Sequence, residues 1–169
     1  MEQLTFQILD KSKITTETAN VFIELLVKQD KVVKPSNEKI KSCREILLCY
    51  SDKKLIGIGA LKPKTKTDFN EQKADLKTIE SRFIWELGYF YVDEAYRGFG
   101  ISTTIARLLL KGKTNENILA STELYSDNAM IRVLEKLGFR QYGKPWPSKI
   151  HDGTLGLFLK FKCGNNFTL

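Results

Sequence analysis

Six residues, Arg97-Gly98-Phe99-Gly100-Ile101-Ser102, constrain this chain more than any others. They follow a strand-like run over 83–92 and open a helix-like run. An apolar strand, a tight glycine turn and a helix start, in that order, point several backbone N–H groups outward at the positive end of a helix dipole. That geometry holds a phosphate or a pyrophosphate. The two glycines allow positive φ and let a ligand approach bare backbone. The chain is therefore read as binding a phosphorylated cofactor at this turn.

Spacing narrows the choice. A Walker loop needs G-x-x-x-x-G-K-[ST], and no such run occurs. A dinucleotide fingerprint needs G-x-G-x-x-G, but Gly98-Phe99-Gly100 is followed by Thr103 where the third glycine belongs. The residues match R-x-x-G-x-[GA] except at the last position, where Ser102 stands. The run Gly88-Tyr89-Phe90-Tyr91-Val92-Asp93-Glu94-Ala95-Tyr96-Arg97-Gly98-Phe99-Gly100 resembles the strand and loop of the GCN5-related N-acetyltransferase superfamily. A second stretch, from Ser126-Asp127-Asn128 to Leu134-Glu135-Lys136-Leu137-Gly138-Phe139, resembles the next helix of that family. The resemblance covers roughly residues 45–162. The first 44 residues match only in their pattern of elements.

The rest of the chain reads as follows. Residues 3–8 alternate as an opening strand. Residues 15–28 carry helical stripes, with Thr15 or Thr16 as cap. Pro35-Ser36-Asn37 breaks the chain before a short helix over 38–42. Residues 45–50 and 55–61 form a hairpin about Ser51-Asp52-Lys53-Lys54. The polar stretch 63–81 reads as an exposed insertion with one helical turn over 71–79. Residues 83–92 are apolar on both faces, so the strand is central. Ile101, Ile105, Leu108 and Leu109 line one face of a helix that ends near Gly112. A strand over 118–125 precedes a helix over 127–137, capped by Ser126 or Asp127 and stopped by Gly138. The last strands span 139–143 and 154–162, and the loop between them holds Lys144-Pro145-Trp146-Pro147 and His151. The tail 164–169 reads as frayed. This order of elements agrees with the fold that the resemblance implies: α/β (α+β), with a mixed, mostly antiparallel sheet of six to seven strands. By the resemblance, this sheet is flanked by helices and splayed at the cofactor site. At 169 residues, the chain 1–169 reads as a single N-acetyltransferase domain.

What the resemblance implies about chemistry falls on named positions. Acetyl-coenzyme A is the cosubstrate, and no metal is called for. Backbone amides of Phe90, Tyr91 and Val92 would run beside the pantetheine arm, one of them polarising the thioester carbonyl. The diphosphate would sit on the amides of Gly98, Phe99, Gly100, Ile101 and Ser102, with Arg97 as a cation or simply as the closure of the turn. Ser102 is small, and its hydroxyl can donate to a phosphate. Asn128 would contact the pantetheine, although the best register puts Asp127 there; its other reading is a helix cap. Glu86, a carboxylate inside Phe83-Ile84-Trp85-Glu86-Leu87, is the leading general base, since burial would raise its pKa into a useful range. The other reading is an exposed glutamate paired with a lysine. Many members place a tyrosine where Leu134 stands here, so the proton donor to the leaving thiolate is open. Tyr125, Tyr142 and the single histidine, His151, are candidates by sequence position; His151 also reads as a surface-loop residue. The wording Val133-Leu134-Glu135-Lys136-Leu137-Gly138-Phe139 also occurs in the branch that acetylates protein N-termini.

Composition sets the alternatives. The formal net charge is +7, but the lysines are interleaved with acids, as over 62–80. This points to a solvated surface that also attracts an anionic coenzyme, and argues against a nucleic-acid partner. The start Met1-Glu2-Gln3-Leu4-Thr5 lacks the features of a signal peptide, and no apolar run approaches the ~20 residues of a membrane helix. Cys43, Cys49 and Cys163 form no C-x-x-C pair and read as reduced thiols of a cytoplasmic protein. The leading function is transfer of an acetyl group to a primary amine of a peptide N-terminus, a lysine or a small molecule. Two other readings stand: a non-catalytic coenzyme A sensor on the same fold, and a basic nucleic-acid-binding module.

Overall fold

The computed structural model describes residues 3–30 and 32–164. The frayed tail expected over 164–169 falls, from 165 onward, outside the described residues. The strands are β1 (Leu4–Asp10), β2 (Glu45–Ser51), β3 (Lys54–Pro63), β4 (Trp85–Val92), β5 (Ile118–Glu123), β6 (Arg140–Pro147) and β7 (Thr154–Lys160). The helices among the described residues are α1 (Thr16–Leu26), α2 (Asn37–Lys41), α3 (Ile101–Leu110) and α4 (Ala129–Lys136). The sheet runs β1-β2-β3-β4-β5-β7-β6. The ladders β1–β2, β2–β3, β5–β7 and β6–β7 are antiparallel, and β4–β5 is parallel. This is the mixed, mostly antiparallel α/β architecture expected from the sequence, with seven strands.

The chain divides into two compact units. One comprises the chain up to Lys62 and Leu87–Leu109; the other comprises Pro63–Glu86 and the chain from Leu110 on. In the first unit, Thr15 caps α1 by accepting the Thr18 N–H at 3.1 Å. The helix buries Ala19, Phe22 and Leu26 in a core shared with Ile46, Leu48, Ile58 and Ala60 of the hairpin. Helix α3 lies close on β3, because β3 has glycines where a side chain would collide. A Cβ on Gly59 would come within 2.6 Å of Ile105 Cγ2 and 3.2 Å of the Phe90 ring. Those glycines bring the start of α3 down onto the sheet.

The second unit overturns one expectation. Residues 63–81 are not an exposed polar insertion, and the single turn over 71–79 is replaced by 3₁₀ segments Lys66–Phe69 and Lys77–Arg82. Phe69, Ala74, Ile79 and Phe83 are buried in a core with Leu119, Trp146, Leu157 and Leu159. The charges that made the segment look solvated are paired. Lys73 binds Asp68 at 2.7 Å, and Lys64 and Lys77 both bind Glu80. Lys77 is mostly exposed, and such a pair contributes little, about 0–1 kcal/mol; the Lys64 and Lys73 pairs are largely buried, where desolvation offsets much of the attraction. Burying a phenylalanine contributes roughly 1.5–3 kcal/mol. Apolar burial therefore holds the segment, and the ion pairs set its register.

Lys64 and Lys77 hold the Glu80 carboxyl below its ordinary range, Lys64 foremost. A depressed carboxyl stabilises the fold above its unfolded pKa, near ~4.3, and loses that contribution as pH falls through the lower, folded value. Glu80→Gln is accordingly expected to melt lower than the parent at pH 7. The gap should close as pH drops below about 4. Thermal melts at several pH values check this; a gap independent of pH would mean the carboxylate charge contributes nothing.

Strand β6 differs as well. The segment Lys144-Pro145-Trp146-Pro147, expected as loop, is strand, and the ladder with β7 resumes at Trp146 after a shift beyond Tyr142. Prolines are tolerated because β6 is an edge strand. Gly143, at φ 72°, is required at the shift, since a Cβ there would strike the Ala74 carbonyl oxygen. No helix among the described residues is long and apolar enough to cross a membrane.

Candidate functional site

In the first unit, β4 leads into the turn through a set of local hydrogen bonds. The Asp93 N–H donates to Ile56 O at 2.8 Å, tying the strand end to β3. Asp93 Oδ1 accepts the Ala95 N–H at 3.2 Å, while Lys54 donates to Oδ2 at 3.0 Å and holds that carboxyl below its usual range. Residues Glu94–Tyr96 make one 3₁₀ turn. Gly98 and Gly100 then take φ of 85° and 77°, the left-handed region expected of them. A Cβ at either would meet nothing within 4 Å, so the backbone faces open space. The Thr104 N–H is bonded to Gly100 O at 3.0 Å, which makes Gly100 the cap of α3. The amides of Gly100, Ile101, Ser102 and Thr103 therefore have no acceptor within the helix.

Arg97 closes the turn from inside. Its Nε donates to Val92 O at 3.1 Å and its Nη1 to Glu94 at 3.2 Å, with the guanidinium 5.9 Å from the Tyr91 ring. The other residues expected here lie along the same continuous strand, turn and helix. Phe90 packs beside Gly59, Val92 is buried, and Phe99 is 77% exposed.

One feature of β4 had no signal in the sequence. Tyr89 has φ 56°, a left-handed residue in mid-strand. For a bulky side chain this conformation costs about 1–2 kcal/mol. The ring is held edge-on to Phe22 at 6.3 Å, with Lys62 Nζ 5.4 Å from its centre. The kink breaks the pleat between Gly88 and Phe90, at the start of the amides expected to carry the chemistry. Gly88, the residue that sequence reasoning would choose for positive φ, does not adopt it.

In the second unit, Glu86 is buried, at 4% exposure, and not an exposed strand-start glutamate. The Thr65 N–H donates to its Oε2 at 2.8 Å. Trp85 and Glu86 pair with Ile118 and Leu119 of β5. Asn128 is the cap of α4, where Ser126 or Asp127 was expected. Its Oδ1 accepts the Met130 N–H at 2.8 Å, and its Nδ2 donates to Thr122 Oγ1 and to Glu123 O. Leu134 is buried. His151 lies against Glu123: Nδ1 accepts the Gly153 N–H at 3.0 Å and sits 3.2 Å from Glu123 Oε1. A neutral ring bonded this way carries its proton on Nε2; a protonated one turns Nδ1–H to the carboxylate. The sequence separation of Glu123 and His151 hid this pairing.

Burial pushes the Cys43 and Cys49 thiols up to about 12 and about 11. Neither can supply a thiolate nucleophile near neutral pH. Among the described residues, no group of three or more His, Cys, Asp or Glu is placed to hold a metal ion.

Comparison with known proteins adds the following. The model of the acetyltransferase (GNAT) family matches residues 17–139. No curated protein matches the chain in sequence. A putative acetyltransferase from Salmonella typhimurium, yncA, solved with its cofactor acetyl-CoA, is similar in structure with a TM-score of 0.63. It is 13% identical, over 97% of this chain and 96% of that one. The ribosomal-protein-S18-alanine N-acetyltransferase of Escherichia coli has a TM-score of 0.61 at 13% identity, over 99% and 100%. NAA60 of Arabidopsis thaliana, solved with a bisubstrate analogue, has a TM-score of 0.63 at 14% identity, over 96% and 100%. At such identities the likeness is one of fold.

Proposed function

Because the chain belongs to the acetyltransferase (GNAT) family, we propose that it transfers the acetyl group of acetyl-coenzyme A to a primary amine by direct attack in a ternary complex. The acceptor is a peptide N-terminus, a lysine or a small amine, and residues 1–169 act as one cytoplasmic domain. The observation that carries this reading is the turn after β4. Two left-handed glycines face open space at the cap of a ten-residue helix. Bare amides and a helix dipole suit a diphosphate, and the absence of Cβ atoms lets it approach. The donor set fits the coenzyme.

The thioester supplies an activated acyl group, so the protein's own share is modest. Amides of Phe90, Tyr91 and Val92, beyond the Tyr89 kink, polarise the carbonyl and stabilise the developing oxyanion. Gly98 through Ser102 hold the diphosphate. Arg97, already bonded to Val92 O, adds positive charge beside it and stiffens the turn. Asn128 keeps an acceptor lone pair for the pantetheine while it caps α4. Glu86 accepts the proton of the attacking amine, directly or through a water. With Leu134 in place of a tyrosine, the coenzyme leaves as thiolate, since thiols near pKa ~8.5 are adequate leaving groups.

Thermal melts and an acceptor screen test the reading together. At ~100 times its dissociation constant, acetyl-coenzyme A should stabilise the fold by about 2.7 kcal/mol. An amine panel should then release the coenzyme thiol. Stabilisation without thiol release, on any amine, selects the sensor reading. No stabilisation, with retention on DNA that weakens steeply with salt, selects the nucleic-acid reading.

A further inference from the structure

We infer that Lys64 is a positioning residue for Glu86, acting through the backbone of Thr65. The inference rests on the proposed role of Glu86 as the general base. Lys64 directly follows β3, and its side chain is only 11% exposed. Its ammonium has three hydrogens and three partners. It donates to Glu80 O at 2.7 Å and Phe83 O at 2.6 Å, and pairs with Glu80 Oε1. Its backbone N–H donates to Ile84 O at 3.1 Å. One lysine thus fastens the start of the folded insertion to three residues at its end, Glu80, Phe83 and Ile84. A saturated ammonium has one orientation, and a buried one cannot leave its partners without losing their hydrogen bonds.

The consequence reaches the next residue. With Lys64 fixed, the Thr65 N–H is held at 2.8 Å from Glu86 Oε2. The last clamped group, Ile84 O, lies two residues before Glu86. Both the donor and the strand that carries the acceptor are therefore set by the same lysine. An anchored Oε2 fixes the plane of the carboxylate. A base must lie within hydrogen-bond reach of the proton it takes, and small misplacements are expensive: an error of ~1 Å costs up to ~10²-fold. Lys77, on the outer side of Glu80, is 64% exposed at 3.2 Å and makes no such clamp.

The test is a double-mutant cycle in kcat with one amine acceptor: parent, Lys64→Met, Glu86→Gln and the double variant. Glu86→Gln keeps an oxygen for the Thr65 amide, so it removes only the base. Lys64→Met is expected to lower kcat roughly 10-fold with the KM for acetyl-coenzyme A unchanged. In the Glu86→Gln background it should change kcat very little, because a positioning residue has nothing left to position. The same fold-loss in both backgrounds, or no loss in either, overturns the inference while leaving the base reading intact. Wild-type turnover by Glu86→Gln overturns the base reading itself, and the inference with it. If Lys64→Met does not fold, Glu80→Gln takes its place in the cycle. It removes the charge partner, keeps both carbonyl bonds of Lys64, and should show a smaller loss that also vanishes with Glu86→Gln.

Discussion

Gly100→Asp is expected to abolish binding of coenzyme A by a protein that remains folded. The residue caps α3 at φ 77°, and a Cβ there meets nothing within 4 Å. The side chain therefore creates no clash in the chain itself. Its folding cost is that of a left-handed aspartate, about 1–2 kcal/mol at most, and aspartate is among the side chains that tolerate this region best. Its binding cost is much larger. A carboxylate would occupy the space through which the diphosphate approaches the amides of Ile101, Ser102 and Thr103, and would repel it. Gly100→Ala separates the two effects, since it carries the backbone penalty and partial obstruction without the charge. Calorimetry with coenzyme A should show no heat of binding for aspartate and weakened binding for alanine. An unchanged affinity in the aspartate variant would mean that the turn is not the cofactor site.

The second large effect is expected at Glu86. A protonated amine cannot attack a thioester, and a lysine-like amine has a pKa near ~10.4. Some group must take a proton at neutral pH. Glu86 is the carboxylate within β4, it is buried, and its Oε2 is anchored by the Thr65 amide. Glu86→Gln retains shape and an acceptor for that amide, so cofactor affinity should persist while turnover near pH 7 falls by ~10²-fold or more. Raising the pH should recover part of the rate, because more amine is then neutral unaided. Acceptors with an α-amino group near ~7.7 should lose less than lysine-like ones. Wild-type turnover across about pH 6–9 would make Glu86 structural. Suspicion would then move to His151, whose imidazole already faces Glu123.

The parts of the fold and site that the sequence revealed are those fixed by local rules. Gly98 and Gly100 announce positive φ because other residues pay a steric penalty there, and both adopt it. Gly112 and Gly138 end their helices in the same region for the same reason. The hairpin of β2 and β3 follows from two short apolar runs around a polar turn. The misreadings arise where distant residues override local preference. Residues 63–81 look solvated because their lysines and acids are plentiful, yet Lys64, Lys73 and Lys77 pair with Glu80 and Asp68 while Phe69 and Ile79 enter a core. β6 accepts two prolines because it is an edge strand of the sheet among the described residues, a fact of strand order that periodicity cannot show. Tyr89 is left-handed because Phe22 and Lys62 hold its ring, far from it in sequence. Asn128, adjacent to two other good caps, became the cap through its bonds to Thr122 and Glu123.

The polypeptide enters the second unit twice, first over Pro63–Glu86 and again from Leu110. A ribosome delivers these two visits at different times. Residues up to 109 contain every segment of the first unit, including its hairpin and α1. The remaining 60 residues take about 3–12 s at usual elongation rates. Early in that interval Phe69, Ile79 and Phe83 have been synthesised, but Leu119, Trp146, Leu157 and Leu159, their core neighbours, have not. A chain extended only to residue 110 thus holds an apolar segment that lacks its core partners.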